Sequence, residues 1–469
     1  MGTAIAQSAP RRSVTHHQGI FNGKKISYTA TVNETFLSLN HQVSPGASII
    51  STAYVVNNQG DRPVIFIFNG GPGASSSPLH MEALGPYRSI TDPGNGTRNI
   101  AANPYSPLDM ADLVFIDPVG TGFTRATDSA TVKAHWDVEQ DARAVADLIK
   151  AWKIENKREN SPVYICGQSY GTTRAAEILG VAPDLHLSGV LLLSVYIDPA
   201  SVTYVPGNDI PYLIYLPTMA AVAAYHHKTN TGAKNVEEIY KAAEQFAENE
   251  YAPALMKGNA ISEADKKRVA ARLAALTGLT ESYIIDKNLR VGLEDFELTL
   301  LAPDGKRLGQ LDGRVSTTTK STNRNSPYND PSFGGAKKTK AKSLISRYFT
   351  DSLNFPDTSN YNSINFTANF NWKWPATNGI SNYWTVAPFI ADAMAKQPGL
   401  RLFVSGGYYD LATPLYAAQY TLGHIGIPAN LVTWVQFATG HDVFDSEENL
   451  KVLTEKIREF LRPITDIMK

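Results

Sequence analysis

Gly167-Gln168-Ser169-Tyr170-Gly171 is the stretch of this sequence with the clearest capacity for chemistry. A serine between two glycines can act as a nucleophile if a base removes its proton and an acid orients that base. The pentapeptide alone is weak, because at roughly 7% Gly and a similar Ser share it arises by chance in roughly one chain of this length in six. Two later places supply the missing groups. Asp410 lies in Ser405-Gly406-Gly407-Tyr408-Tyr409-Asp410, just past the apolar run Leu402-Phe403-Val404, and His441 lies in Ala438-Thr439-Gly440-His441, past a run that ends at Phe437. The order Ser, Asp, His is the one used when the nucleophile sits on a strand-to-helix turn. His424 competes as a base but falls in a polar connection that reads as surface. His226 and His227 are adjacent, with no His, Asp or Glu at ligand spacing, so neither a metal site nor a cofactor is expected.

The elements that must position these residues are legible as patterns. The serine follows Pro162-Val163-Tyr164-Ile165-Cys166 and opens the helix-compatible run Thr172 to Leu179. That is the strand, tight turn and helix a nucleophile elbow needs, with the helix's free N–H groups aimed at a developing oxyanion. Other short apolar runs lie at Ile49–Val56, Val64–Phe68, Leu113–Ile116, Val190–Leu193 and Leu431–Phe437. Several are uninterrupted, as strands buried on both faces should be. Helical patterns lie between them, most clearly from Trp136 to Trp152, so the expected architecture is α/β with a mainly parallel sheet covered on both sides. The last helix is expected to start at a capping box of Asp445 with Glu448 and to stop at Pro463.

At 469 residues the chain exceeds one typical domain. From about Tyr204 to Tyr383 the strand-helix rhythm breaks, which predicts a core of 1–203 and 384–469 interrupted by a cap insertion at 204–383. Within it, the basic Thr/Ser/Asn/Lys-rich stretch Arg314–Ser343 reads as a solvated lid loop. A net charge of -1 gives no electrostatic case for nucleic acid or a membrane surface as partner, and no apolar run reaches the length of a membrane span. The single cysteine, Cys166, rules out a disulfide framework. Ala4-Ile5-Ala6-Gln7-Ser8-Ala9 resembles the stub left beside an export cleavage site, so a secreted or periplasmic location with the leader removed is expected, with a cytoplasmic one as the alternative.

With these pieces placed, the chain resembles the serine carboxypeptidase family, in particular its bacterial branch. Four blocks carry the resemblance: Asn69-Gly70-Gly71-Pro72-Gly73-Ala74-Ser75-Ser76, Val114 to Phe123 with Asp117-Pro118-Val119-Gly120-Thr121-Gly122, the Gly167–Gly171 elbow, and Ser405–Pro414 with Gly440-His441. The resemblance implies an α/β-hydrolase fold with a helical cap, Ser169, Asp410 and His441 as a catalytic triad, and an oxyanion hole from the backbone N–H groups of Gly71 and Tyr170. It also implies that Asn69, beside Gly70 and Gln168, binds a terminal carboxylate. The implied activity is release of a C-terminal residue from a peptide through an acyl-enzyme. An esterase, amidase or acyltransferase using the same triad is the alternative.

The departures fall at substrate recognition. The residue before the nucleophile, commonly Glu in this family, is Gln168, whose amide can donate to a carboxylate with no proton uptake. A less acidic pH optimum is therefore expected. A second recognition Glu would align with Ala83, and Glu82 is one position early. Asp442 follows His441 where an apolar residue is common; it either favours a basic or amine-bearing leaving group or turns away to shape the next turn. Trp372, Trp374 and Trp384 could line an acyl-side pocket or pack in the core. A peptide or small acyl compound is the expected partner; oligomeric state is not legible.

Overall fold

The computed structural model of the chain describes residues 9–37, 47–57, 60–92, 96–125, 129–229, 231–318, 330–333, 343–355, 357, 359–377, 380–381 and 383–462. Most of the Arg314–Ser343 stretch and residues 4–8 of the stub lie outside them.

Among the described residues nine strands form the main sheet: β1 (Arg12–Phe21), β2 (Lys24–Leu37), β3 (Ala47–Val56), β4 (Val64–Phe68), β5 (Asp112–Asp117), β6 (Val163–Ser169), β7 (Gly189–Val195), β8 (Arg401–Gly407) and β9 (Val432–Phe437). Their spatial order is β1-β2-β3-β5-β4-β6-β7-β8-β9. β1, β2, β3 and β5 pair antiparallel in succession, and every pairing from β5 through β9 is parallel. The long β1–β2 hairpin alternates half-buried and exposed positions along β1, so it forms a one-sided edge. The central runs β4 and β7 are buried along their whole length, as continuous apolar strands require.

Side chains alternate between two cores. Phe66, Ile165, Leu192 and Val404 face α1 (Val138–Glu155) and α2 (Tyr170–Val181), whereas Ile67, Cys166, Leu193 and Phe403 face the opposite layer. Asp137 caps α1 by accepting the N–H groups of Glu139 and Gln140 at 3.0 and 3.2 Å. A mainly parallel sheet with helices on both faces and a strand-turn-helix at its centre is the α/β-hydrolase fold.

The stretch after Tyr204 divides into two. Helices α3 (Ile210–Tyr225), α4 (Val236–Phe246), α5 (Glu263–Thr277) and α6 (Leu293–Thr299) build a third core of their own, joined at its base by Tyr408, Tyr409, Leu411 and Leu415. Ile345, Tyr348, Phe349, Phe355 and Tyr361 instead pack onto the main sheet, and Ala368 and Trp372 onto its other face. The chain then returns through α7 (Ala387–Lys396), β8, α8 (Leu415–His424) and β9 to α9 (Glu447–Leu461). The cap of α9 differs from the expected one. Ser446 accepts the N–H of Asn449 at 3.1 Å, because the carboxylate of Asp445 is taken by Arg314, Thr439 and the Asn449 side chain.

Glu297, on α6, is 6% exposed, and one of its carboxylate oxygens has no hydrogen-bond partner among the described residues. Burial pushes its carboxyl up to about 8; Asp330 and Glu294 act in the same direction and Arg307 against it. The folded state therefore holds this proton more tightly than the unfolded chain, and stability falls as pH rises from the unfolded carboxyl's range through the folded one. The slope is at most about 1.4 kcal/mol per pH unit from this group. Glu297→Gln is expected to remove that loss. Urea unfolding of both proteins at pH 5 and pH 8 should show the variant's advantage widening with pH; an equal gap at both would reject the assignment.

Candidate active site

β6 ends at Ser169, whose φ of 59° and ψ of −131° are sterically costly for an L-residue, on the order of 1–3 kcal/mol. The turn is tight enough that a Cβ on Gly167 would meet the carbonyl of Gly171 and lie 2.9 Å from the N of Thr172. Thr172 Oγ1 donates to the Ser169 carbonyl at 2.7 Å and accepts the N–H of Tyr196 at 2.7 Å, locking helix to strand. Cys166, three residues before the serine, is fully buried, and burial pushes its thiol up to about 12, so it stays protonated.

The glycine turn after β4 crosses directly over the start of α2. A Cβ on Gly70 would lie 2.5 Å from the N of Gly171, 2.8 Å from the Gln168 carbonyl and closer still to the N of Tyr170. Gly71 has a φ of 99°, outside the range of ordinary side chains. Beneath the turn the fully buried Arg174 donates to the Asn69 carbonyl at 2.6 Å and to Asp141 at 2.7 Å, and Asp141 also accepts the Tyr170 hydroxyl at 3.1 Å. Beside it, Asp117 accepts Ser76 N at 2.8 Å, Ser76 Oγ at 2.7 Å and the Tyr361 hydroxyl at 2.9 Å. Asn369 Nδ2 holds the Pro72 carbonyl at 3.0 Å.

Asp410 and His441 meet at the carboxyl ends of β8 and β9. His441 Nδ1 and Asp410 Oδ2 are 2.8 Å apart, and Asp410 is fully buried. The other oxygen, Oδ1, accepts the N–H groups of Ala412 and Thr413 at 2.9 and 3.0 Å; Thr413 Oγ1 donates to Oδ2 at 2.6 Å. Every lone-pair direction facing protein is thus engaged, which fixes the carboxylate plane and leaves Nε2 of the ring as the free nitrogen. Burial pushes the imidazole down, but the charge and hydrogen bond of Asp410, with the charge of Asp442, outweigh it and raise its pKa above 6.5. Ser169 and His441 line one cleft of about 460 Å³ together with Gly71, Tyr170 and Asp442.

At one end of this cleft Asn69, Gln168 and Asp442 form a chain. Leu79 N–H donates to Asn69 Oδ1 at 3.1 Å, Asn69 Nδ2 to Gln168 Oε1 at 2.6 Å, and Gln168 Nε2 to Asp442 Oδ1 at 2.8 Å and the His441 carbonyl at 3.3 Å. A backbone donor at one end and a backbone carbonyl at the other fix the direction of both amides. The donors of Gln168 are therefore turned to Asp442 and the His441 carbonyl. Asp442 does not turn away from the cleft. Glu82 does: its carboxylate pairs with Arg98 at 2.6 Å. Of the three tryptophans only Trp374 lines the cleft, stacked on Trp384 with ring centres 5.7 Å apart; Trp372 and Trp384 are buried. His424 is exposed and bonds back to the Tyr420 carbonyl at 2.6 Å.

One group of site residues carried no sequence signal. Gln310 and Leu311, which come after the cap helices, line the cleft, and the Leu311 carbonyl accepts the N–H of His441 at 2.7 Å. His226 Nε2 lies 2.8 Å from the Gly313 carbonyl, so its ring serves this segment.

The profile of a family described as serine carboxypeptidase matches residues 52–294, more than half of the chain. Serine carboxypeptidase-like 20 of Arabidopsis thaliana is 28% identical over 153 residues, 30% of this chain and 31% of that protein. The pheromone-processing carboxypeptidase kex1 of Schizosaccharomyces japonicus is 26% identical over 258 residues, 52% of this chain and 46% of that protein. The chain spans about a quarter to a third of the length of the first curated relatives it matches. The crystal structure of a prohormone-processing carboxypeptidase from Saccharomyces cerevisiae superimposes with a TM-score of 0.56 at 18% identity, covering 92% of this chain and 91% of that one, a likeness of fold. Because the match covers more than half of the chain and holds both the glycine turn and the serine elbow that the structure packs against each other, the chain belongs to the serine carboxypeptidase family.

Proposed function

We propose that this protein is a serine-type carboxypeptidase that releases a C-terminal residue from peptides through an acyl-enzyme. Ser169 Oγ attacks the scissile carbonyl, His441 Nε2 takes its proton and passes it to the leaving amine, and Asp410 holds the imidazole and offsets its charge. The N–H groups of Gly71 and Tyr170 receive the oxyanion. The observation that carries the reading is His441, held at 2.8 Å by the buried Asp410, in the same cleft as a serine held at φ 59°. In the expected division of the chain, 1–203 and 384–469 supply this machinery; of the 204–383 insertion only the helical block forms a core of its own, and the later part packs on the main sheet. Assignment to the family's bacterial branch rests on the four motif blocks, and a secreted or periplasmic location rests mainly on the family resemblance; among the described residues no helix is long and apolar enough to cross a membrane.

The amide chain favours a second reading, an esterase, amidase or acyltransferase on the same three residues. Both donors of Gln168 are spent, and the chain ends on a carboxylate, so Asn69 Nδ2 alone keeps a hydrogen for an incoming carboxylate while Asp442 repels it. N-blocked dipeptides with a free terminal carboxylate, their C-terminal amides and simple esters separate the two. Faster turnover of the acids supports the exopeptidase; equal turnover of acid and amide removes it. Loss of all three activities in Ser169→Ala is required by either.

His441 must be neutral to accept a proton, so its raised pKa places the acid limb of kcat/KM above pH 6.5. Asp442→Asn removes one of the charges that raise it and is expected to move that limb to lower pH. A pH–rate profile of both proteins on a neutral ester, which carries no carboxylate to complicate binding, checks this; an unmoved limb would exclude Asp442 from the base's electrostatics.

A further inference from the structure

The residues after the cap helices are woven between the two loops that carry Asp410 and His441. The Gln310 carbonyl accepts the N–H of Leu411, Gly313 N–H donates to the Tyr409 carbonyl at 2.9 Å, and the Leu311 carbonyl accepts the N–H of His441 at 2.7 Å. Close approach is built in: a Cβ on Gly440 would lie 2.6 Å from both the Leu311 carbonyl oxygen and Asp312 Cβ. The segment is held from behind as well, since Asp330 accepts the N–H of Gln310 at 2.9 Å and Ser332 Oγ that of Leu311 at 3.0 Å.

Arg314 ties this strap to both loops at once. Its Nε and Nη2 donate to Asp312 at 2.9 and 2.7 Å, which fixes the plane of the guanidinium. Nη2 also reaches Asp445 at 2.7 Å and Thr439 Oγ1 at 3.2 Å, and Nη1 donates to the Ala438 carbonyl at 3.1 Å. Those three residues flank His441. The same guanidinium lies over the Tyr409 ring, 5.4 Å from its centre, next to Asp410. The donors of the fork hold the strap to the loop bearing His441 while its face rests on the ring beside Asp410, so one guanidinium meets both loops where a single point charge cannot.

We infer that Gln310–Arg314 is a strap that sets the distance and angle between the loops bearing Asp410 and His441, with Arg314 as its positioning residue. Arg314 touches neither Asp410 nor His441. Its effect reaches them through the loop backbone, so it acts on how often the imidazole stands in line with Ser169. This rests on the reading of Ser169, His441 and Asp410 as nucleophile, base and acid, but not on the identity of the leaving group.

The test uses diisopropyl phosphorofluoridate on the full chain, in which Ser169 Oγ displaces fluoride from phosphorus while His441 takes the hydroxyl proton. Arg314→Met, similar in length and without the fork, should lower the maximal labelling rate roughly 10- to 100-fold, the size of effect a misplacement of about 1 Å produces. The half-saturating reagent concentration should change little, the melting temperature should stay near wild type, and the low-field proton resonance of His441 Nδ1–H should broaden or vanish. Arg314→Lys should recover only part of the rate. Labelling of Arg314→Met at the wild-type rate overturns the inference, as does a loss carried entirely by the half-saturating concentration. If Arg314→Met does not fold, Asp445→Asn, which cuts one arm of the fork at the surface, is read instead; an unchanged rate there overturns the inference equally. Wild type unlabelled at Ser169 removes the nucleophile reading and the strap's role with it, whereas wild type labelled and the variants unaffected removes the strap alone.

Discussion

Asp410→Asn is expected to lower turnover roughly ten-thousand-fold while leaving the protein folded. The size comes from which way the new amide must face. Oδ1 of Asp410 accepts two backbone N–H groups, from Ala412 and Thr413, and a backbone donor cannot be rotated away. An asparagine must therefore keep its oxygen there and turn its NH2 toward His441 Nδ1. That nitrogen then becomes an acceptor, the ring's proton moves to Nε2, and the nitrogen facing Ser169 can no longer take a proton. Thr413 Oγ1 lies 3.2 Å from His441 Nδ1, and its own bond to Oδ2 is lost with the carboxylate because an NH2 group cannot accept it. Steady-state kinetics on an activated ester, with melting temperature as the control for folding, measures the loss. A decrease of less than tenfold would mean that Asp410 does not set the tautomer of His441.

The second large effect is expected at Gly70. Its missing Cβ is what lets the Asn69–Gly71 segment lie against the first residues of α2. The atoms an added methyl would meet, the N of Tyr170, the N of Gly171 and the Gln168 carbonyl oxygen, are all backbone. No side chain can swing aside, so Gly70→Ala must push the turn away from the elbow and separate the N–H groups of Gly71 and Tyr170. Loss of one oxyanion donor costs roughly 10²- to 10³-fold in turnover. The expected result is a drop of at least that size, with the turn's anchor on Asp117 intact, the Arg174 bond to the Asn69 carbonyl stretched and the melting temperature lowered. Retention of wild-type turnover in a folded Gly70→Ala protein would remove this turn from the oxyanion site.

Much of this site could be read from sequence because its parts sit at strand ends. Buried strands are apolar without interruption, so their ends are sharp, and in an open sheet the residues just past the carboxyl end of a strand face the cleft. That is why Ser169, Asp410 and His441 could be singled out although 241 and 31 positions separate them in turn. The strap failed to announce itself for the opposite reason. Gln310–Arg314 acts mainly through backbone carbonyls and N–H groups, and a backbone bond leaves no preferred residue behind, while Arg314 and Asp312 look like any surface pair. Asp445 shows how such long-range partners override local rules: it has the composition of a helix cap, but a cation from a segment 131 residues earlier claims its carboxylate, and Ser446 takes the cap. The direction of the Asn69–Gln168–Asp442 chain was hidden too. An amide has donors and acceptors at once, and only Leu79 N–H and the His441 carbonyl decide which end faces which.

The division of the inserted stretch into a part with its own core and a part packed on the main sheet bears on what can be recombined. Exchanging all of 204–383 with a relative would look like swapping a lid, yet it would also withdraw Phe349, Phe355 and Tyr361 from beneath the sheet and Tyr361's hold on Asp117. The exchangeable module is the shorter piece from Ile210 to Leu308, and its seam is the ring of Tyr408, Tyr409 and Leu411 that the host fold supplies to the guest core. Replacing this one helical block keeps the fold only where the guest core matches that apolar base.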